Sequence, residues 1–207
     1  PNYLLGAVKE AASYGANALM VYLGAPQNSD RRPVSELKVP QFKQFLVENK
    51  IDIDNVIVHG PYQMNLAREP GSDVFDFSVE FFQKEIARME EIGLKTIVIH
   101  PGSALSRPVK EALENIVKGI DLSLKENSTV RIALETMCGR GSEIGANFEQ
   151  LKYIIDRVEQ KERVVIHVND SLQELGTKLD RHENIGYETP RKREDFSEEI
   201  RNLKRLD

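Results

Sequence analysis

The chain has 207 residues, 40% of them hydrophobic and 29% charged, with a net charge of −5 and a single cysteine. That length suits one domain with a full core, and the composition is that of an ordinary globular protein. No apolar run is long enough to span a bilayer, and Pro1-Asn2-Tyr3 opens no signal-peptide pattern. The lone Cys138 cannot make an internal disulfide, so a reducing, cytoplasmic setting is expected. An acidic balance speaks against a broadly basic surface. It still leaves room for a local basic groove, or for a metal site that brings its own positive charge.

In chain order, residues 4–14 read as a helix stopped by Gly15. A short buried strand over 18–23 follows, then the loop Gly24-Ala25-Pro26-Gln27-Asn28. A helix over 40–49 leads to a strand over 55–59 and its exit loop Gly60-Pro61-Tyr62. Residues 73–92 form a long amphipathic helix, capped by Ser72 or Asp73 and stopped by Gly93. A strand over 96–100 precedes a helix over 107–125, with Pro108 in its first turn. A strand over 130–135, a Gly-rich loop over 137–145, a helix over 147–160 and a strand over 164–168 come next. Residues 195–205 suit a closing helix. Strands that are apolar without alternation, separated by helices, call for a parallel sheet buried on both faces.

Chemistry gathers at the strand ends. His59, His100 and His167 each end an apolar run, and Glu135 ends a fourth. These four fall 41, 35 and 32 residues apart, one βα unit each time. The fourth histidine, His182, lies in the polar stretch Asp180-Arg181-His182-Glu183-Asn184-Ile185-Gly186. In a closed (β/α)8 barrel every strand's carboxyl end faces one mouth, whereas a doubly wound sheet gathers ligands at one switch point. Successive strands ending in ligand-type residues favour the barrel. No G-x-G-x-x-G follows the first strand to support a dinucleotide fold. Imidazole and carboxylate suit Zn2+ or Mn2+. Taken singly, each histidine is more simply structural, Asp180 and His182 a solvated turn, and Glu188 a surface acid. For Glu135 the bland alternative is an ion pair with Arg131 or Arg140, since a buried carboxylate needs a partner. Arg31 and Arg32 read equally as phosphate contacts or as a solvated loop.

Six stretches carry a resemblance: Gly24-Ala25-Pro26-Gln27-Asn28, His59-Gly60-Pro61-Tyr62, His100-Pro101-Gly102, Ala133-Leu134-Glu135-Thr136-Met137, His167-Val168-Asn169-Asp170-Ser171 and Asp180 to Gly186. In this order they resemble the endonuclease IV family of apurinic/apyrimidinic endonucleases, in the form of Gram-positive bacteria. The resemblance implies a (β/α)8 barrel that uses three zinc ions to cut double-stranded DNA 5′ to an abasic site. It implies that His59, His100 and Glu135 hold one zinc. Glu135 then bridges to a second, held also by His167 and Glu188, and Asp180 and His182 hold the third. Glu135 is accordingly the expected catalytic residue. Tyr62 and Gln63 match a loop that enters DNA beside the lesion, and Gln27 and Asn28 match one that probes the duplex. No membrane and no obligate protein partner are implied.

The chain departs from the family in three places. A first strand before residue 1, a βα unit near 164/165, and a helix with most of the last strand near 187/188 are absent from the sequence. Because the flanking half-motifs are intact, we expect residues 1–207 to be a single TIM-barrel domain from which segments have been omitted. Two other readings stand beside the endonuclease: a metal-dependent sugar isomerase or epimerase on the same barrel, and a shortened, non-catalytic DNA- or zinc-binding protein.

Overall fold

The computed structural model describes residues 3–171 together with the strand residues His182 and Glu183. Helix α1 (Tyr3–Ser13) leads to strand β1 (Leu19–Val21), then α2 (Val39–Glu48) to β2 (Val56–His59). Helix α3 (Asp73–Ile92) leads to β3 (Thr96–Ile99), α4 (Val109–Ser123) to β4 (Arg131–Glu135), and α5 (Phe148–Ile155) to β5 (Val164–His167). The five strands are all parallel and lie side by side in chain order. A doubly wound sheet reverses its strand order part-way; this one does not, so it winds in one direction as a barrel wall does. Right-handed crossovers then put every helix on the same face, where α1 meets α2, α3 meets α4, and α4 meets α5.

The strands are the apolar runs of the sequence. Val56 and Val58, Ile97 to Ile99, and Ile132 to Leu134 are all buried, as a sheet covered on both faces requires. Helix α3 begins where the Ser72 hydroxyl accepts from the Phe75 amide at 3.4 Å, and ends at Gly93, whose φ of 90° suits glycine. Between these caps Phe75, Phe82 and Met89, spaced for one helix face, are buried in the core. Burying a side chain such as Phe82 contributes about 1.5–3 kcal/mol.

Some boundaries differ from expectation, each for a local reason. Pro108 stands at the cap of α4 with ψ 136°, outside the helix rather than in its first turn. Helix α5 ends at Ile155 instead of near residue 160. There the chain turns so that the Glu159 amide donates to Asp121 and the Gln160 side chain to the Leu124 carbonyl, both at 2.9 Å. An unforeseen two-residue ladder pairs Gly102–Ser103 with Glu143–Ile144 and ties together the exit loops of β3 and β4. The expected helix over 195–205 lies outside the described residues. So does barrel closure: β1 and β5 are the edges of the described sheet, and Met20 and Val165 on them are partly exposed.

Candidate metal centre

The sheet register brings the polar strand ends together. His59 aligns with Val98, so β3 runs on past that level before the chain reaches His100. Glu135 aligns with His167 across β4 and β5. Among the described residues, His59, His100 and Glu135 form a group whose potential ligand atoms all lie within 4.8 Å of one another. His59 Nε2 is 3.0 Å and His100 Nε2 3.4 Å from Glu135 Oε2. His59 and Glu135 are buried, and about a third of the His100 side chain is exposed. The group is therefore open on one side.

Each member is held from behind. His59 Nδ1 donates to the Gly60 carbonyl at 2.8 Å, which turns Nε2 toward the carboxylate. The Asn169 side-chain amide donates to Glu135 Oε1. Asn169 is fixed in turn by Thr136, whose Oγ1 accepts from the Asn169 amide at 2.8 Å and donates to its carbonyl at 3.1 Å. Burial works against the charge on Glu135. The hydrogen bonds and charges of His100 and His59 outweigh it and hold the carboxyl well below the usual range. Burial also works to lower the His59 pKa, but Glu135 and the Gly60 carbonyl raise it above its ordinary value. His59 Nε2 and Glu135 Oε2 thus face each other where a cation with nitrogen and oxygen ligands would fit. Two imidazoles and a carboxylate converging in this way match the donor set of zinc. The alternative, an ion pair from Glu135 to Arg131 or Arg140, is not formed. Arg131 is exposed at the opposite end of β4, and Arg140 is exposed in the following loop.

An aromatic rim surrounds the group. The Tyr62 ring meets His59 edge-on at 5.4 Å and His100 at a tilt at 5.2 Å, and Tyr22 lies 5.1 Å from His59. The two phenols are hydrogen-bonded at 2.5 Å. Burial and this bond push the Tyr22 pKa up. Tyr22 was given no role from sequence, yet it follows β1 just as His100 follows β3; its place at the end of an apolar run was the available signal. Asn169 stands inside the stretch His167 to Ser171, with no signal of its own in the sequence.

The other expected residues are placed as follows. His167 stands half-buried on the β5 side of Glu135, outside the 4.8 Å group. Gln27, Asn28, Tyr62 and Gln63 are exposed on two adjoining loops. The loops are joined where the Tyr62 amide donates to the Pro26 carbonyl at 3.2 Å and the Gln63 side chain donates to the Gln27 carbonyl. Arg32 is exposed and pairs with Glu36 at 3.1 Å. Arg31 does not lie in a solvated loop: its side chain is 9% exposed and its Nε donates to the buried Glu85 at 2.7 Å. Asp180 and Glu188 lie outside the described residues, as does the side chain of His182, whose backbone aligns with Ser171.

Comparison with known proteins agrees with this geometry. Residues 8–166 match the model of the xylose isomerase-like TIM barrel family. "Probable endonuclease 4" of Mesoplasma florum is 39% identical over 221 residues, covering 89% of this chain and 75% of the relative. Its counterpart in Geobacillus kaustophilus is 38% identical, covering 89% and 73%. The aligned 221 residues exceed the whole length of this chain, so the Mesoplasma relative carries residues inside the match that this chain lacks. The crystal structure of endonuclease IV from Thermus thermophilus superposes with a TM-score of 0.67 at 22% identity, covering 89% of this chain and 78% of that one. A D-tagatose 3-epimerase-like protein superposes at 0.60 with 19% identity, covering 77% and 58%, which speaks for the fold alone. With a TIM-barrel family model matched over most of its length, and endonuclease 4 relatives 39% and 38% identical to it, the chain belongs to the endonuclease IV family.

Proposed function

We propose that this protein is a DNA-repair endonuclease that hydrolyses the phosphodiester 5′ to an abasic site in double-stranded DNA, with zinc as its cofactor. The observation that carries the reading is the convergence of His59, His100 and Glu135 at the carboxyl ends of neighbouring strands, in a chain of this family. Residues 1–207 are read as one barrel domain. His59, His100 and Glu135 Oε2 would hold the first ion. Glu135, with His167 and Glu188, would also hold a second, and Asp180 and His182 a third. Bound zinc supplies positive charge for the phosphate and leaving oxygens and acidifies water as the nucleophile.

The chain's own groups do the positioning. Glu135 keeps its charge at neutral pH because His59 and His100 stabilise the anion. Gly60 fixes the orientation of His59, and Asn169 fixes that of Glu135. Tyr62 is 51% exposed beside the two imidazoles, at the edge where a strand break in a duplex would be made. Gln27, Asn28 and Gln63 extend this edge as polar probes of the duplex. Arg32 is assigned to phosphate contact, while Arg31 faces the loop interior. An abasic nucleotide has no base to unstack, so its extrusion toward the centre costs less than that of an intact nucleotide, which favours the damaged site.

An end-labelled duplex carrying one abasic site tests the reading. The expected outcome is a single cut on the 5′ side of the lesion, with undamaged duplex left intact. An uncut duplex, together with C3 epimerisation of a ketohexose by the same zinc- or manganese-loaded protein, would replace this reading with a sugar epimerase.

A further inference from the structure

Glu85 is fully buried in the middle of α3, away from the metal centre and without any part in the chemistry above. A buried carboxylate is costly unless paired, and its pairing runs to a distant loop. Arg31 Nε donates to Glu85 Oε1 at 2.7 Å, and Arg88 Nε stands 3.9 Å from the same oxygen. The Arg31 guanidinium then gathers its own loop around itself. Nη1 donates to the carbonyls of Asp30 at 2.9 Å, Asn28 at 3.0 Å and Ala25 at 3.4 Å. The guanidinium also lies over the Phe81 ring, 4.8 Å from its centre. Gly24 provides the space, because a Cβ there would come within 2.6 Å of Nη1.

We propose that Glu85 and Arg31 are positioning residues: a buried clasp that fixes the 24–31 loop and, through it, the substrate-facing rim of the metal centre. The path is continuous. The loop whose inner carbonyls hold Arg31 uses its Pro26 and Gln27 carbonyls to accept from Tyr62 and Gln63, and the Tyr62 ring packs edge-on against His59. A lysine could not replace Arg31, since a single ammonium cannot present the planar fork that reaches carboxylate and carbonyls together. Arg31 therefore acts on substrate through loop shape rather than by touching phosphate. The claim about substrate rests on the DNA reading above; the claim about loop order does not.

The test uses the full zinc-loaded chain with Glu85→Gln and, separately, Gly24→Ala, whose added methyl displaces Arg31. Hydrogen–deuterium exchange is expected to quicken at the amides of Asn28, Asp30 and Tyr62 while those of β2, β3 and β4 keep their wild-type rates. KM for an abasic duplex is expected to rise about ten-fold, with the change carried by KM rather than kcat. This rise should vanish in a Tyr62→Ala/Gln63→Ala background, because the clasped loop reaches the rim through those residues. Unchanged loop exchange, exchange quickened across the whole sheet, or a KM effect of equal size in that background overturns the proposal. If Glu85→Gln does not fold, Gly24→Ala decides alone. If wild-type protein binds no abasic DNA, the DNA reading fails, and exchange by itself decides the clasp.

Discussion

Glu135 is the residue on which the site turns, and its surroundings give sharp expectations. Glu135→Gln keeps the shape of the side chain and removes its charge, so zinc affinity should fall at least about a hundred-fold. Competition with a chromophoric chelator measures this, and wild-type affinity in the variant would remove Glu135 from the ligand set. The Asn169 side chain holds Glu135 Oε1 from behind, so Asn169→Ala should weaken zinc about 10–100-fold without abolishing binding. Tyr22→Phe deletes one hydrogen bond and keeps the ring over His59. Substrate affinity should fall about 2–10-fold, as one net hydrogen bond implies. His59, His100 and Glu135 were legible in the sequence because each closes a buried run, where a polar side chain needs a reason. Tyr22 closes a run too, but a phenol raised no expectation of a ligand. The role of Arg31 was illegible: its partner is 54 residues away on a helix face, and nothing local distinguishes it from exposed Arg32.

At the level of elements, α3 is both the main packing helix and the base of the clasp. Phe82 is fully buried on it, so Phe82→Ala should cost about 3–5 kcal/mol, read as a lower urea midpoint. A loss below about 1 kcal/mol would mean that the helix does not pack as described. Its ends were readable because Ser72 and Gly93 are chemically unambiguous caps. The ends of α4 and α5 were less so. Apolar periodicity continues past Ile155, and only the tertiary hydrogen bonds to Asp121 and Leu124 show why the helix stops there. The ladder between Gly102–Ser103 and Glu143–Ile144 left no pattern at all, since two residues are too few for alternation to register.

For the whole molecule, the regular spacing of strand-end ligands indicated a one-way winding, and the sheet has that order from β1 to β5. The carboxyl mouth gathers two imidazoles and a carboxylate, a donor set that suits a cation. Zinc at about 100 times its Kd is then expected to stabilise the fold by about 2.7 kcal/mol, raising the thermal midpoint roughly 5–10 °C. Chelation should reverse the shift, and a midpoint indifferent to zinc would argue against a metal centre. Among the described residues, no helix is long and apolar enough to cross a membrane. The measurement that bears most directly on the metal centre and its chemistry together is incision of a single-abasic duplex by zinc-loaded wild-type protein beside Glu135→Gln. Wild type is expected to cut 5′ to the lesion, and the variant at least about a hundred-fold more slowly. No cutting by the zinc-loaded wild type, or equal cutting by both proteins, would contradict the assignment of His59, His100 and Glu135 as the centre of a DNA-repair nuclease.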